Sequence, residues 1–210
     1  MKDEGYNTKE KILDVALDLF AVHGYTPVSV RDISAAVGIK ESSIYAHFKN
    51  KEEILEVLLK RAEGEAQVKK ESFNRALSLV SGIERGGFIT AGTAYLEGYL
   101  LVEEIYKFLQ VLTIEKQRNG RAAVLYHQIL FAVPLEHHEK VFTYLVQKGH
   151  IPVDTPELLA AEYQSLILFV FQKYFSTFAM CTEETKEAAN KELSGLLGRF
   201  FDRNFKEATV

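Results

Sequence analysis

The sequence predicts an all-α protein: a three-helix, helix-turn-helix unit in residues 1–52, followed by a larger helical unit in 53–210. Three observations lead there. Apolar residues recur at three- and four-residue intervals, no segment alternates with the two-residue period of a strand, and capping signals mark helix starts at Ser29 and Asn50.

The elements follow in order. Ser29 caps a short helix whose third position is Asp32, and Val30, Ile33 and Val37 fall on one face of it. Gly38 sits where the chain must leave that helix with positive φ, and Ile39 supplies the apolar contact that seals such an end. Residues 42–48 form the next helix, with Ile44 and Phe48 spaced to pack inward and Ser43, Tyr45 and His47 pointing elsewhere. Asn50 and Glu53 read as a second capping box, so a third helix begins at Lys51. Its ammonium then lies beside free backbone N–H groups, where a phosphate would fit. Two short helices, a tight turn and outward hydrogen-bonding groups are the outline of a DNA reader.

From Lys51 a long helix runs to about residue 80, carrying Ile54, Leu55, Leu58, Leu59 and Ala62 as an apolar stripe. Gly82, Gly86 and Gly87 end it, and helices over 88–101 and 103–118 follow, with a break at Asn119 and Gly120. Pro134 either kinks the next helix or opens it from the first turn, and Gly149 closes it. After a connector at 150–155, Pro156 opens a helix to about 180, and a last helix spans 183–205. In the first of these two, apolar residues cover nearly the whole circumference. The second carries Leu193, Leu196, Leu197 and Phe200 on one face, with Gly195 and Gly198 allowing close approach.

Charge is balanced where DNA would bind: residues 1–51 hold seven Lys or Arg and seven Asp or Glu, and the whole chain has a net charge of −4. The expected phosphate contacts are therefore few and the salt dependence moderate. Cys181 is the only cysteine, which excludes an intramolecular disulfide, and no apolar run nears the roughly 20 residues a membrane span needs. With a charged amino terminus, these features lead to a cytoplasmic expectation. No GxSxG, HExxH or CxxC occurs, so nothing recommends hydrolase, zinc or redox chemistry, and no cofactor is expected. His137 and His138 read as a solvated pair, since no third ligand stands at helical spacing.

The string from Thr8 and Ile12 to Tyr25, then Ser29 to Gly38, then IYAHFKNKEEI from Ile44 to Ile54, resembles the DNA-binding domain of the TetR family of bacterial transcriptional regulators. It departs from that pattern at Lys40, where the family has a Ser or Thr cap and where an ammonium cannot accept the hydrogen bond. The resemblance implies a helix-turn-helix DNA-binding domain followed by a larger helical ligand-binding and dimerisation domain. The implied function is repression of transcription, with operator DNA bound by a homodimer and released by a small effector; an enzyme is not expected. Carried over residue by residue, Ser29 and Lys51 would hold phosphates, Ser43, Tyr45 and His47 would face the groove, and Lys40 and Ser42 would lie nearby. An apolar or aromatic effector is expected among Tyr95, Tyr99, Tyr126, Phe131, Tyr163, Ile167 and Phe171. The dimer is expected through Tyr163, Ile167, Val170, Tyr174, Leu193, Leu196, Leu197 and Phe200. The rival from another class is a helix-turn-helix protein that works through a protein partner, or organises DNA, without a small effector.

Overall fold

The computed structural model describes residues 3–77, 84–152, 155–176 and 181–206, and these are helical, with no strand among them. The helices are α1 Asp3–His23, α2 Val30–Val37, α3 Glu41–Tyr45, α4 Lys51–Leu77, α5 Arg85–Tyr95, α6 Glu103–Glu115, α7 Gly120–His127, α8 Val133–Gln147, α9 Pro156–Tyr174 and α10 Glu183–Asn204. Two five-residue π-helical turns, Leu96–Leu100 and Gln128–Ala132, continue α5 and lead into α8.

Several boundaries differ from expectation for local reasons. Helix α3 is five residues rather than 42–48, because the N–H groups of His47 and Phe48 both turn onto the Ile44 carbonyl and tighten the end. Gly86 and Gly87 lie inside α5 instead of ending a helix, while Gly82 falls outside the described residues. α6 stops at Glu115, and Asn119 starts α7 by accepting from the N–H groups of Arg121 (3.0 Å) and Ala122 (3.2 Å). Pro134 occupies the first turn of α8, which continues directly from the π-helical turn, and the Leu130 carbonyl four residues before it is met instead by the Gln164 amide. α9 ends at Tyr174; the expected extension to 180 runs into residues 177–180, outside those described.

The chain divides into two compact units. The first is Met1–Glu65 with Glu103–Tyr126, so it reaches beyond the 1–52 motif to include the start of α4, α6 and most of α7. Its core is Ile12, Leu13, Ala16 and Phe20 of α1, Ile33 and Val37 of α2, Ile44, Phe48, and Ile54 and Leu58 of α4. Charged side chains hold the rim: Arg61 of α4 reaches Asp14 of α1 at 3.0 Å and Glu104 of α6 at 2.6 Å, and Lys107 of α6 pairs with Asp18.

The second unit is Ala66–Val102 with His127–Val210, in which α8 packs on α9, and α10 on both α5 and α9. Phe88 centres an aromatic cluster, stacked on Phe200 at 5.7 Å and edge-on to Tyr163 at 5.4 Å. Gly92 is needed there: a Cβ on it would stand 2.3 Å from Leu197 and 3.0 Å from the Tyr163 hydroxyl. At Gly198 a Cβ would meet the Arg85 guanidinium, which forks onto Asp202 (2.6 and 3.0 Å). Gly195, expected to allow close approach, has nothing described within 4 Å.

Candidate nucleic-acid interface

The helix-turn-helix is built as its residues dictate. Ser29 caps α2 reciprocally with Asp32: the Asp32 N–H donates to Ser29 Oγ (3.1 Å), and the Ser29 N–H (2.8 Å) and hydroxyl (2.6 Å) donate to the Asp32 carboxylate. Those bonds hold the Asp32 carboxyl below its ordinary range. Gly38 leaves α2 at φ 81°, and the N–H groups of Gly38 and Ile39 both reach the Ser34 carbonyl at 3.0 Å, the double closure that a left-handed cap provides.

Ile44 and Phe48, 1% and 2% exposed, pin α3 to the unit's core. That anchoring sets the outward residues: Tyr45 is 53% exposed, Lys40 and Ser42 are exposed, and Ser43 and His47 are half-buried. Five of the residues expected to touch DNA thus share the solvent side of one short helix and its flanks. The helix has no side-chain cap, because Lys40 stands at the capping position and offers only donors.

Lys51 is placed differently from expectation. Its ammonium donates to the carbonyls of Val28 (2.6 Å), Tyr25 (2.7 Å) and Thr26 (3.3 Å) and lies 4.1 Å from the Tyr25 ring centroid. It thereby braces the loop between α1 and α2, and partial burial lowers its pKa. The Asn50 cap forms, with the Glu53 N–H donating to Asn50 Oδ1 at 2.8 Å, but the Glu53 carboxylate reaches back to the N–H of Lys49 rather than that of Asn50. Two further braces have no sequence signal beyond their position on polar faces: Lys11 donates to the Val37 carbonyl at the end of α2 (3.1 Å), and Arg118 reaches Thr26 (3.3 Å).

The residues expected to bind an effector are only partly brought together. Tyr95, Tyr99, Tyr163, Ile167 and Phe171 are buried in the second unit. Tyr126 belongs to the first unit, under the Lys116 ammonium, and Phe131 is 37% exposed against His127. The Tyr99 hydroxyl donates to the Ile129 carbonyl (2.8 Å), and the Gln164 amide to the Leu130 carbonyl (2.9 Å), so both serve the π-helical turn at 128–132. Sequence reasoning missed His138. Rather than half of a solvated pair, it is 5% exposed, edge-on to Tyr163 at 4.7 Å and Tyr95 at 5.2 Å, and burial lowers its pKa to about 3. The signal was present, since Pro134, His138, Phe142 and Leu145 form one stripe of α8.

The expected dimer residues need correction. Tyr163, Ile167, Val170, Leu193, Leu197 and Phe200 are covered by the chain itself, and Tyr174 and Leu196 are half-buried. What faces outward on α9 is the stripe Leu158, Ala161, Ser165 and Phe169, with Leu158 67% and Phe169 53% exposed. No helix among the described residues is long and apolar enough to cross a membrane, and no group of three His, Cys, Asp or Glu among them could hold a metal ion.

Residues 12–58 match the family model for bacterial regulatory proteins, tetR family. Over 46 residues the chain is 50% identical to IcaR, a biofilm operon HTH-type negative transcriptional regulator of Staphylococcus epidermidis; the match covers 22% of this chain and 25% of that protein. The alignment thus spans a quarter of the length of this curated relative. The fold extends further: a TetR-family regulator from Mesorhizobium loti superposes with a TM-score of 0.69 at 20% identity, covering 97% of this chain and 99% of that one. A transcriptional regulator from Saccharomonospora viridis in complex with choline gives 0.68 at 16% identity, covering 96% and 100%. The motif, its geometry and these likenesses agree: residues 12–58 match the DNA-binding domain of the tetR family of bacterial regulatory proteins, and the chain as a whole has the fold of the TetR-family structure from Mesorhizobium loti.

Proposed function

We propose that this regulator is a homodimeric repressor that reads operator DNA with α3 and releases it when a small, largely apolar or aromatic molecule enters the second unit. The observation carrying the proposal is the outward group on α3 and its flanks, Lys40, Ser42, Ser43, Tyr45 and His47, held by the buried Ile44 and Phe48. A hydroxyl, an imidazole and a phenol on a rigid, pinned helix suit base-edge contacts in the major groove, and the exposed start of α2 at Ser29 suits a phosphate once the Ser29 hydroxyl turns from Asp32 to it. For Lys51 the phosphate role becomes an electrostatic one, because its ammonium already serves three carbonyls. Repression is supported by the negative regulation named for the staphylococcal relative.

Dimerisation is proposed through the outer stripe of α9, Leu158, Ala161, Ser165 and Phe169, with Leu196 of α10. A twofold dimer matches a palindromic operator, whose half-sites stand roughly 34 to 36 Å apart or multiples of that. The effector role is supported by the aromatic interior around Tyr95 and Tyr163 and by a ligand-bound neighbour of the same fold, although choline itself is a property of that neighbour. Release requires the effector to bind the DNA-incompetent state more tightly, since a ligand indifferent to the two states shifts nothing. The test is native mass spectrometry of the purified protein for a retained small molecule, followed by operator titration with and without it. Weaker operator binding at saturating ligand is the expected result. Unchanged affinity would reject induction and favour a regulator acting without an effector.

A further inference from the structure

In the second unit the Tyr99 hydroxyl and the Gln164 amide satisfy the Ile129 and Leu130 carbonyls, and the Tyr95 hydroxyl faces the Gln164 amide. Gln164 Oε1 and His138 Nδ1 stay unpaired among the described residues. Of the two, His138 is the one enclosed by aromatic rings. Its ring is buried between Tyr95 and Tyr163, yet its Nδ1 has no hydrogen-bond partner among the described residues. A buried polar atom left unpaired in an aromatic core is costly enough to ask what pairs with it.

The surroundings restrict the answer. Apart from the tyrosine hydroxyls, His138 and Gln164 are the buried polar side chains among the described residues of this unit; no Lys, Arg, Asp or Glu is buried with them. A carboxylate or ammonium entering here would lose its hydration without a counter-charge. The ring itself is uncharged, because burial and the neighbouring His137 hold its pKa far below neutrality, at about 3. A neutral imidazole nitrogen accepts or donates according to tautomer, and a hydroxyl is a small uncharged group that answers both. The tyrosine rings on two sides suit a flat partner.

We propose that His138 is the polar anchor of the effector site, and that the effector class is a neutral aromatic molecule bearing a hydroxyl, a phenol in the simplest case. This rests on the second unit being the effector-binding one, and it adds the anchoring atom and the ligand's charge and hydrogen-bonding group.

The test uses the full-length protein without DNA. Isothermal titration compares 4-ethylphenol, ethylbenzene, 4-ethylbenzoate and benzyltrimethylammonium, which differ in the hydroxyl and in charge. Wild type should bind the phenol at least about tenfold more tightly than ethylbenzene, with both ions weaker still. His138→Phe should remove the phenol's advantage while leaving ethylbenzene unchanged. Should that variant not fold, imidazole nitrogen resonances of wild type supply the same information: 4-ethylphenol must shift the His138 Nδ1 signal and ethylbenzene must not. Equal affinity for phenol and ethylbenzene, tighter binding of either ion, an unmoved Nδ1 signal, or no binding by any probe would overturn the proposal. Phenol bound at His138 with operator affinity unchanged would uphold the site and reject its use as the switch of the proposed function.

Discussion

The first unit and the second obey the same packing rules but carry their proposed functions differently. In the first, the polar residues that matter project from a five-residue helix whose inward residues, Ile44 and Phe48, are unmistakable in spacing. In the second, candidate residues sit among apolar neighbours on helices buried from more than one side, and which face is inward is decided by tertiary packing. The contrast teaches that a surface function is written in the exceptions to an apolar pattern, whereas an interior function is hidden by the pattern itself.

The sharpest way to break the comparison lies in α9 and α10. Phe200 is 2% exposed and packed against Phe88, whereas Phe169 faces outward. Phe200→Glu would bury an unpaired charge and should cost more than about 4 kcal/mol, enough to unfold the chain. Phe169→Glu should leave helicity intact and shift the protein to monomer. Circular dichroism and sedimentation velocity read the two effects. A folded Phe200→Glu protein, or an undiminished dimer in Phe169→Glu, would restore the interface expected from sequence.

A smaller effect separates two glycines. Gly92→Ala puts a Cβ into Leu197 and should destabilise by about 1–3 kcal/mol. Gly195→Ala enters open space on α10 and should stabilise by roughly 0.5–1 kcal/mol through helix propensity. Chemical denaturation decides, and equal effects would show that α5 does not approach α10 as closely as described.

The acid response of the second unit is small near neutrality and grows as the pH falls. The folded state lowers the pKa of His138 from 6.5 to about 3, so it disfavours the proton that the unfolded chain accepts. Stability is then complete above about pH 6.5 and falls as pH drops, by up to about 1.4 kcal/mol per pH unit for this one group. Denaturation midpoints at pH 7 and pH 5 test the slope, and imidazole resonances test its source. An imidazolium at His138 at pH 5 in the folded protein would contradict its burial.

Much of the fold was legible, and its limits have physical causes. The Ser29–Asp32 capping box, the Asn50 cap, the Gly38 turn and the inward pair Ile44 and Phe48 are local, and each appears in the structure, although Glu53 closes onto Lys49 rather than Asn50. The helix starts at Lys51, Glu103, Pro156 and Glu183 also agree. The length of α3 was not legible, since a tightened last turn depends on hydrogen bonds rather than on residue spacing. Neither was the inner side of α9, because a helix apolar almost all round has no periodicity to orient it. Lys51 was read from charge alone, and only the folded loop reveals the three carbonyls it serves. His138 was masked by an equally polar neighbour, although its four-residue spacing from Pro134 and Phe142 carried the signal.

The central claim is that the outward face of α3 reads DNA. It is tested most directly by selecting duplexes from a random pool with wild type, then titrating the recovered site with wild type and a Tyr45→Ala/His47→Ala double variant. A palindromic site should emerge, and the variant should bind it with a loss of about 1–3 kcal/mol per base contact removed, at unchanged thermal stability. Equal binding by both proteins, or no enriched sequence at all, would contradict the account.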